Sequence, residues 1–235
     1  FAGMTWFDAV TQAMSACATC GFSTKNLSIG FWDSALIESI LIVAMTLSAI
    51  HFGILYATLT GRRNNIFRSE VVRAYIGMML IATVVIATSL FSEDIYPTFG
   101  ESMRHASFQV VSLTTTSGFA TADTNLWTPL AIIFLVFCSI VCGCAGSTSG
   151  GMKVDRVLMA FKVIRNRMKV QLHPNAVMRI KVDGAVQDDG VLNLVMTFIV
   201  AYIMTVLLGP IIYTMFGLDV MTSLSASISS VSNVG

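Results

Sequence analysis

The segment Ser112–Thr121, SLTTTSGFAT, lies between long apolar runs and limits what this chain can fold into. Five hydroxyl residues precede its Gly118-Phe119 pair. Such a stretch cannot face lipid inside a bilayer, because nothing there satisfies its backbone N–H and C=O groups. It persists at membrane depth only where protein buries it or where it lines a polar path, and there its carbonyls make a candidate ion filter. The setting is a membrane: 55% of the 235 residues are hydrophobic and 11% are charged, with a mean hydropathy of +0.77. Soluble domains carry roughly 25% charged residues. A net charge of +1, with no basic patch interleaved with aromatics, gives no sign of nucleic-acid binding.

The segment recurs. Thr19-Cys20-Gly21-Phe22 matches Thr116-Ser117-Gly118-Phe119 at an offset of 97, and Asn233-Val234-Gly235 falls in the same frame at a further 117. Ser15, Ser112 and Ser229 correspond, as do Thr5, Ser102 and Asp219, which are all good helix N-caps. Each copy therefore reads as a cap, a short helix and a filter-like strand. The first helix, from Thr5 to about Ala16, opens on a capping box with Asp8 in place of Glu. About eleven residues at 1.5 Å rise cover roughly 16 Å, half a bilayer, so these are re-entrant pore helices. Their carbonyl ends carry partial negative charge and favour a cation at the membrane centre.

Between the copies lie spans over residues 34–60, 71–91 and 191–216, the last containing Pro210. Glu38 is expected at the interface and His51 is expected to pack between helices without a role. Trp127-Thr128-Pro129 marks an interface and a helix start. The following apolar run, 129–142, is too short to cross, reaching about 21 Å. It breaks at Gly143-Cys144-Ala145-Gly146-Ser147-Thr148-Ser149-Gly150-Gly151, and a basic amphipathic stretch, 152–170, which includes Lys153, follows. A break of this composition belongs where it lines a cavity, which makes it a candidate gate below the filter, with a simple kink as the plainer reading. It lacks the phosphate-loop spacing, since Met152 stands where Lys is needed. Cys17-x-x-Cys20 lacks a second half-site for metal or redox chemistry, and disulfides are not implied. His173-Pro174 should end the basic helix, and 182–186 reads as a turn or hairpin. All Lys and Arg except Lys25 and Arg104 lie in 62–73 and 153–181, so those ends are cytoplasmic by the positive-inside rule and the filters face outside.

The order spells a repeating unit of span, pore helix, filter and span. Residues 1–60 give a pore helix, filter and second span, 61–170 a complete unit, and 171–235 a first span, pore helix and filter. Three filters suggest a fourth around one axis, so a further unit is expected before Phe1 and a last span after Gly235.

This pattern resembles the Trk/Ktr/HKT superfamily of cation transporters over essentially the whole chain. The filters Ala18-Thr19-Cys20-Gly21-Phe22-Ser23-Thr24, Thr115-Thr116-Ser117-Gly118-Phe119-Ala120-Thr121 and Ser232-Asn233-Val234-Gly235 carry the resemblance, with the broken helix Gly143–Lys153. His173-Pro174-Asn175-Ala176-Val177 and the Asn-Val-Gly filter are most similar to the bacterial TrkH type. The resemblance implies an all-α integral membrane fold around a pseudo-fourfold pore, in a bacterial inner membrane. It implies K+ as the transported ion and the sole metal, held at the filters, with no organic cofactor and no catalytic residue. The partners implied are the lipid bilayer, a second copy in a homodimer and a cytosolic nucleotide-binding regulatory subunit of the TrkA kind. A KtrB-type sodium-dependent transporter and the pore subunit of a potassium-pumping P-type ATPase are alternatives. A membrane enzyme with Ser or Cys chemistry at 143–151 or 17–20 lacks a His/Asp set at matching depth, and a plain anchor does not explain three copies of one polar motif.

Overall fold

The computed structural model describes residues 3–61, 66–172 and 179–234. The turn at Arg62–Asn65, the segment His173–Val177 and Gly235 lie outside the described residues. Among the described residues the regular structure is helical apart from one hairpin of two two-residue strands. In order the elements are α1 (Trp6–Ala18), α2 (Ala35–Ser48), α3 (Phe52–Leu59), α4 (Glu70–Ser92), α5 (Phe99–Thr114), α6 (Pro129–Val141) and α7 (Val154–Leu172). The hairpin strands β1 (Lys181–Val182) and β2 (Ala185–Val186), then α8 (Asp189–Met215) and α9 (Val220–Ser232), complete the chain.

Most helices begin on a side chain that accepts from their own first turn. Thr5, Ser69, Thr98, Thr128, Asp188 and Asp219 all do so, and Pro129 follows Thr128 at the first helical position. The second pore helix starts one turn earlier than the expected cap at Ser102. Thr98 is extended (φ −129°, ψ 146°) and its hydroxyl accepts from Glu101 N at 3.2 Å. Ser102 is instead fully buried inside the helix and donates to the Thr98 carbonyl at 3.3 Å.

α4 and α8 are long and apolar enough to cross a membrane, with 23 and 27 residues. The expected continuous span over 34–60 is not continuous. α2 and α3 meet at a bend of 101°. Its cause lies in distant sequence: the Ala49 carbonyl accepts from Cys144 N at 2.9 Å, and Phe52 N donates to the Gly146 carbonyl at 3.1 Å. His51 then caps α3, its Nδ1 accepting from Gly53 N at 2.8 Å. Sequence periodicity carries no trace of such a bend, because the groups that replace the lost helical bonds come from another part of the chain.

Tyr75, Ile86, Leu90 and Phe108 are fully buried where α4, α5 and α6 pack. α8 and α9 form a close pair at Gly209, where a Cβ would stand 2.1 Å from Ser227 Oγ, and the Tyr202 hydroxyl meets Ser232 Oγ at 2.6 Å. Glu38, in the first turn of α2, is buried in the protein. It is 2% exposed and accepts from Arg104 Nε at 2.7 Å and Nη2 at 2.8 Å, while Asp33 takes a further bond from the same guanidinium at 2.8 Å. A bidentate pair of this kind ties α2 to α5, and burial of the carboxylate is compatible with folding only because the fork is present.

Candidate functional site

The three short helices α1, α5 and α9 end alike. Thr19, Thr116 and Asn233 all take the left-handed conformation, with φ of 52°, 58° and 59°. The next residue then donates back five positions: Cys20 N to Ser15 O at 3.0 Å, Ser117 N to Ser112 O at 2.9 Å and Val234 N to Ser229 O at 3.0 Å. These are the serines that correspond in the sequence frame. The closure is of the Schellman type, in which a left-handed residue lets the outgoing chain satisfy a helix carbonyl. Gly21 and Gly118 follow with φ of 71° each, a conformation that a Cβ disfavours.

The outgoing loops converge. Ala18, Thr19, Cys20, Gly21 and Phe22 from the first copy, Gly118 from the second, and Asn233 and Val234 from the third line one cavity of about 470 Å³. The first two loops touch so closely that a Cβ on Gly21 would lie 1.9 Å from the Ser117 carbonyl oxygen. Thr115, Thr116 and Ser117 are fully buried, with Thr115 Oγ1 and Ser117 Oγ 2.9 Å apart. Ser232 is buried in the last turn of α9. The two aromatic positions diverge: Phe119 is 1% exposed behind its loop, whereas Phe22 is 80% exposed. The carbonyl ends of α1, α5 and α9 point partial negative charge toward the same region.

The Gly/Ser/Thr segment after α6 passes directly against these loops. Gly150 N donates to Thr116 Oγ1 at 2.8 Å, and a Cβ on Gly150 would stand 2.2 Å from the Ser232 carbonyl oxygen. Thr148 Oγ1 donates to the carbonyls of Cys17 at 3.3 Å and Ser48 at 3.2 Å. One segment thus meets all three pore helices or their loops. Its own shape is held by bonds of Gly143 N to Ser149 Oγ (3.1 Å), Ser147 Oγ to Cys144 O (2.5 Å) and Met152 N to Ile140 O (3.1 Å). Asp155 in α7 accepts from Ala145 N, and Lys153 Nζ caps the Ser149 carbonyl from a left-handed residue (φ 65°). Gly146 lies under the His51 ring, where a Cβ would come within 2.7 Å, and Gly151 packs on Cys142 Sγ.

Several polar residues take roles at this site that sequence reasoning did not assign to them. Asp8 and Gln12 are buried behind the first loop, Asp155 holds the broken helix through the Ala145 amide, and His51, expected to pack between helices, is exposed and caps α3. For Gln12 a signal was present, since it corresponds to Gln109 in the repeat frame. The free cysteines Cys17 and Cys20 are exposed at the first loop, whereas Cys138, Cys142 and Cys144 are buried around the break.

Long apolar helices, half-length helices that stop at left-handed residues, and loops gathered round one cavity define an all-α integral membrane protein built from repeated re-entrant pore-loop units. The TrkH family model, described as cation transport protein, matches residues 2–235, and the chain belongs to that family. It is 34% identical over 237 residues to the Trk system potassium uptake protein TrkH of Salmonella typhimurium, covering 100% of this chain and 49% of that protein. It is 35% identical over 236 residues to the TrkH protein of Halomonas elongata, covering 100% of this chain and 48% of that protein. The crystal structure of the potassium transporter TrkH from Vibrio parahaemolyticus superposes with a TM-score of 0.93 at 32% identity, covering 100% of this chain and 51% of that one. The chain spans about half the length of the curated relatives it matches.

Proposed function

We propose that this chain forms part of a pathway for potassium uptake across the bacterial inner membrane. The observation that carries the reading is the convergence of three loops on one cavity lined by backbone and small side chains. Carbonyls of 18–22, 115–119 and 232–235 replace part of the hydration shell of K+, as in filters built from backbone oxygens. The chain acts as a transporter and performs no chemistry on its cargo. Similarity to Trk system potassium uptake proteins supports K+ as the ion, and favours this over the P-type ATPase and KtrB-type alternatives.

The segment 143–153 is the proposed gate. Its contacts with Cys17, Thr116 and Ser232, one on each of the three pore helices or their loops, support this reading. A cytosolic nucleotide-binding partner of the TrkA kind would shift it through α7, whose Asp155 already holds the Ala145 amide. The basic ends face the cytoplasm, the parent protein pairs as a homodimer, and the chain divides into units at 1–60, 61–170 and 171–235.

The test is uptake of radioactive rubidium into liposomes containing the full-length parent protein, with K+ or Na+ as competitor, for wild type and Gly118→Ser. Rapid uptake that K+ blocks and that the variant loses is the expected result. Equal uptake by the variant would remove the central loop from the pathway.

A further inference from the structure

The first two loops share a fold and a frame, yet they are held from behind in different ways. In the second, Ser112 Oγ donates to the Phe119 carbonyl at 2.7 Å, bracing the loop at its middle. The matching Ser15 Oγ of the first copy is buried with no hydrogen-bond partner among the described residues. The first loop is fastened further along. Thr24 Oγ1 donates to Asp8 Oδ1 at 2.6 Å, and Gln12 Nε2 donates to Ser23 Oγ at 2.7 Å. The Asp8 carboxylate is itself fixed through Oδ2, which accepts from Thr5 Oγ1 at 2.8 Å. That last contact is local to the helix start, but the contact with Thr24 spans 16 residues and does nothing for the cap. In the second copy the corresponding pair is His105 and Thr121, whose Nδ1 and Oγ1 are buried without partners among the described residues. Gln109 Nε2, which matches Gln12, donates to the Ala122 carbonyl at 3.2 Å, so both copies share a glutamine fastening; the first adds the carboxylate–threonine bond and the second the serine bond to the middle of its loop.

We propose that Asp8 is a positioning residue for ion discrimination, holding the first filter loop through Thr24 so that the carbonyls of 19–22 keep their spacing. The inference rests on the potassium-pathway reading of the same loops. A carboxylate that is 5% exposed and bonded on both oxygens is a stiff anchor, because charge-assisted bonds are short and roughly twice as strong as neutral ones. Filter carbonyls left free to move adapt to ions of different radius, so loosening the loop should erode preference for K+ over Na+ more than it slows transport.

The experiment uses the full-length parent protein in liposomes and reads the ratio of Na+ to K+ concentrations that halve rubidium uptake. Asp8→Ala and Thr24→Val should each lower that ratio by about tenfold, the value of one charge-assisted bond. The double variant should fall no further than either single one. Asp8→Asn, whose amide oxygen still accepts from Thr24 but without the charge and without a second acceptor for Thr5, should fall between wild type and Asp8→Ala. Should Asp8→Ala fail to fold, Thr24→Val removes the same bond at nearly constant volume and decides alone. K+-competed uptake with unchanged ratios in the single variants overturns the proposal while leaving the pathway intact. Wild-type uptake that K+ does not compete overturns the pathway and the proposal together.

Discussion

At the residue scale, conformations that few side chains tolerate recur at matched positions. Thr19, Thr116 and Asn233 share the left-handed region, and Gly21 and Gly118 follow at one φ. Gly21 is the most constrained of these, with the Ser117 carbonyl oxygen 1.9 Å from where its Cβ would be. Gly21→Ala must therefore push two loops apart, and rubidium uptake should fall to background although the protein still purifies as a folded species. The Glu38–Arg104 pair makes a separate prediction about stability. Arg104→Met leaves a nearly inaccessible carboxylate without its fork and should destabilise by about 3 kcal/mol, seen as a lower thermal midpoint in detergent. Replacing both partners with Met should recover most of that loss, since an apolar pair of similar volume carries no stranded charge. A double variant as unstable as the single one would show that the pair matters for more than its charges.

At the scale of elements, the broken helix and the bent pair explain each other. α6 ends at Val141 because Cys142 turns to positive φ, and the chain then supplies Cys144 N and Gly146 O to the bend between α2 and α3. Two interruptions that would be costly alone satisfy one another's backbone groups, which is the condition for irregular chain at membrane depth. Lys153 closes the segment by capping the Ser149 carbonyl, four residues back. Lys153→Met removes that bond and the charge, so the segment should leave its resting position more readily. Uptake measured without any cytosolic partner should rise by about tenfold, the worth of one hydrogen bond to a charged group. Unchanged partner-free uptake would mean that the contacts with Thr116 and Ser232 hold the segment by themselves.

At the scale of the whole molecule, charge and topology point the same way. The basic α7 and the hairpin gather at one end, where Asp183 accepts from Ser69 Oγ at 2.7 Å and Glu70 N at 2.5 Å, and Lys162 pairs with Glu70 at 2.6 Å. Glu93, Asp94 and Glu101 lie at the other end of α4 and the start of α5. A single cysteine at Lys169, in a background lacking Cys17 and Cys20, should react with a membrane-impermeant maleimide only from the cytoplasmic side. One at Glu93 should react only from outside. The reverse labelling would invert the orientation and place the segment 143–153 at the outer mouth.

The repeat frame, the half-length helices, the two long spans and the site of the helix break could all be read from residue order, because each rests on local chemistry: a capping side chain, an apolar run of given length, a glycine where φ is positive. Tertiary structure decided what depends on partners distant in sequence. The bend at Ala49–His51 exists because residues near 145 complete its hydrogen bonds. Glu38 is buried because Arg104 reaches it from a helix 66 positions away. Ser102 lost the cap to Thr98, a contest that the frame alone could not judge because both are competent hydroxyl residues. The unlike bracing of the two loops, by Ser112 in one and by Asp8 in the other, is likewise a property of which side chain reaches which atom. Sequence spacing places a residue on a face; only packing determines what it meets there.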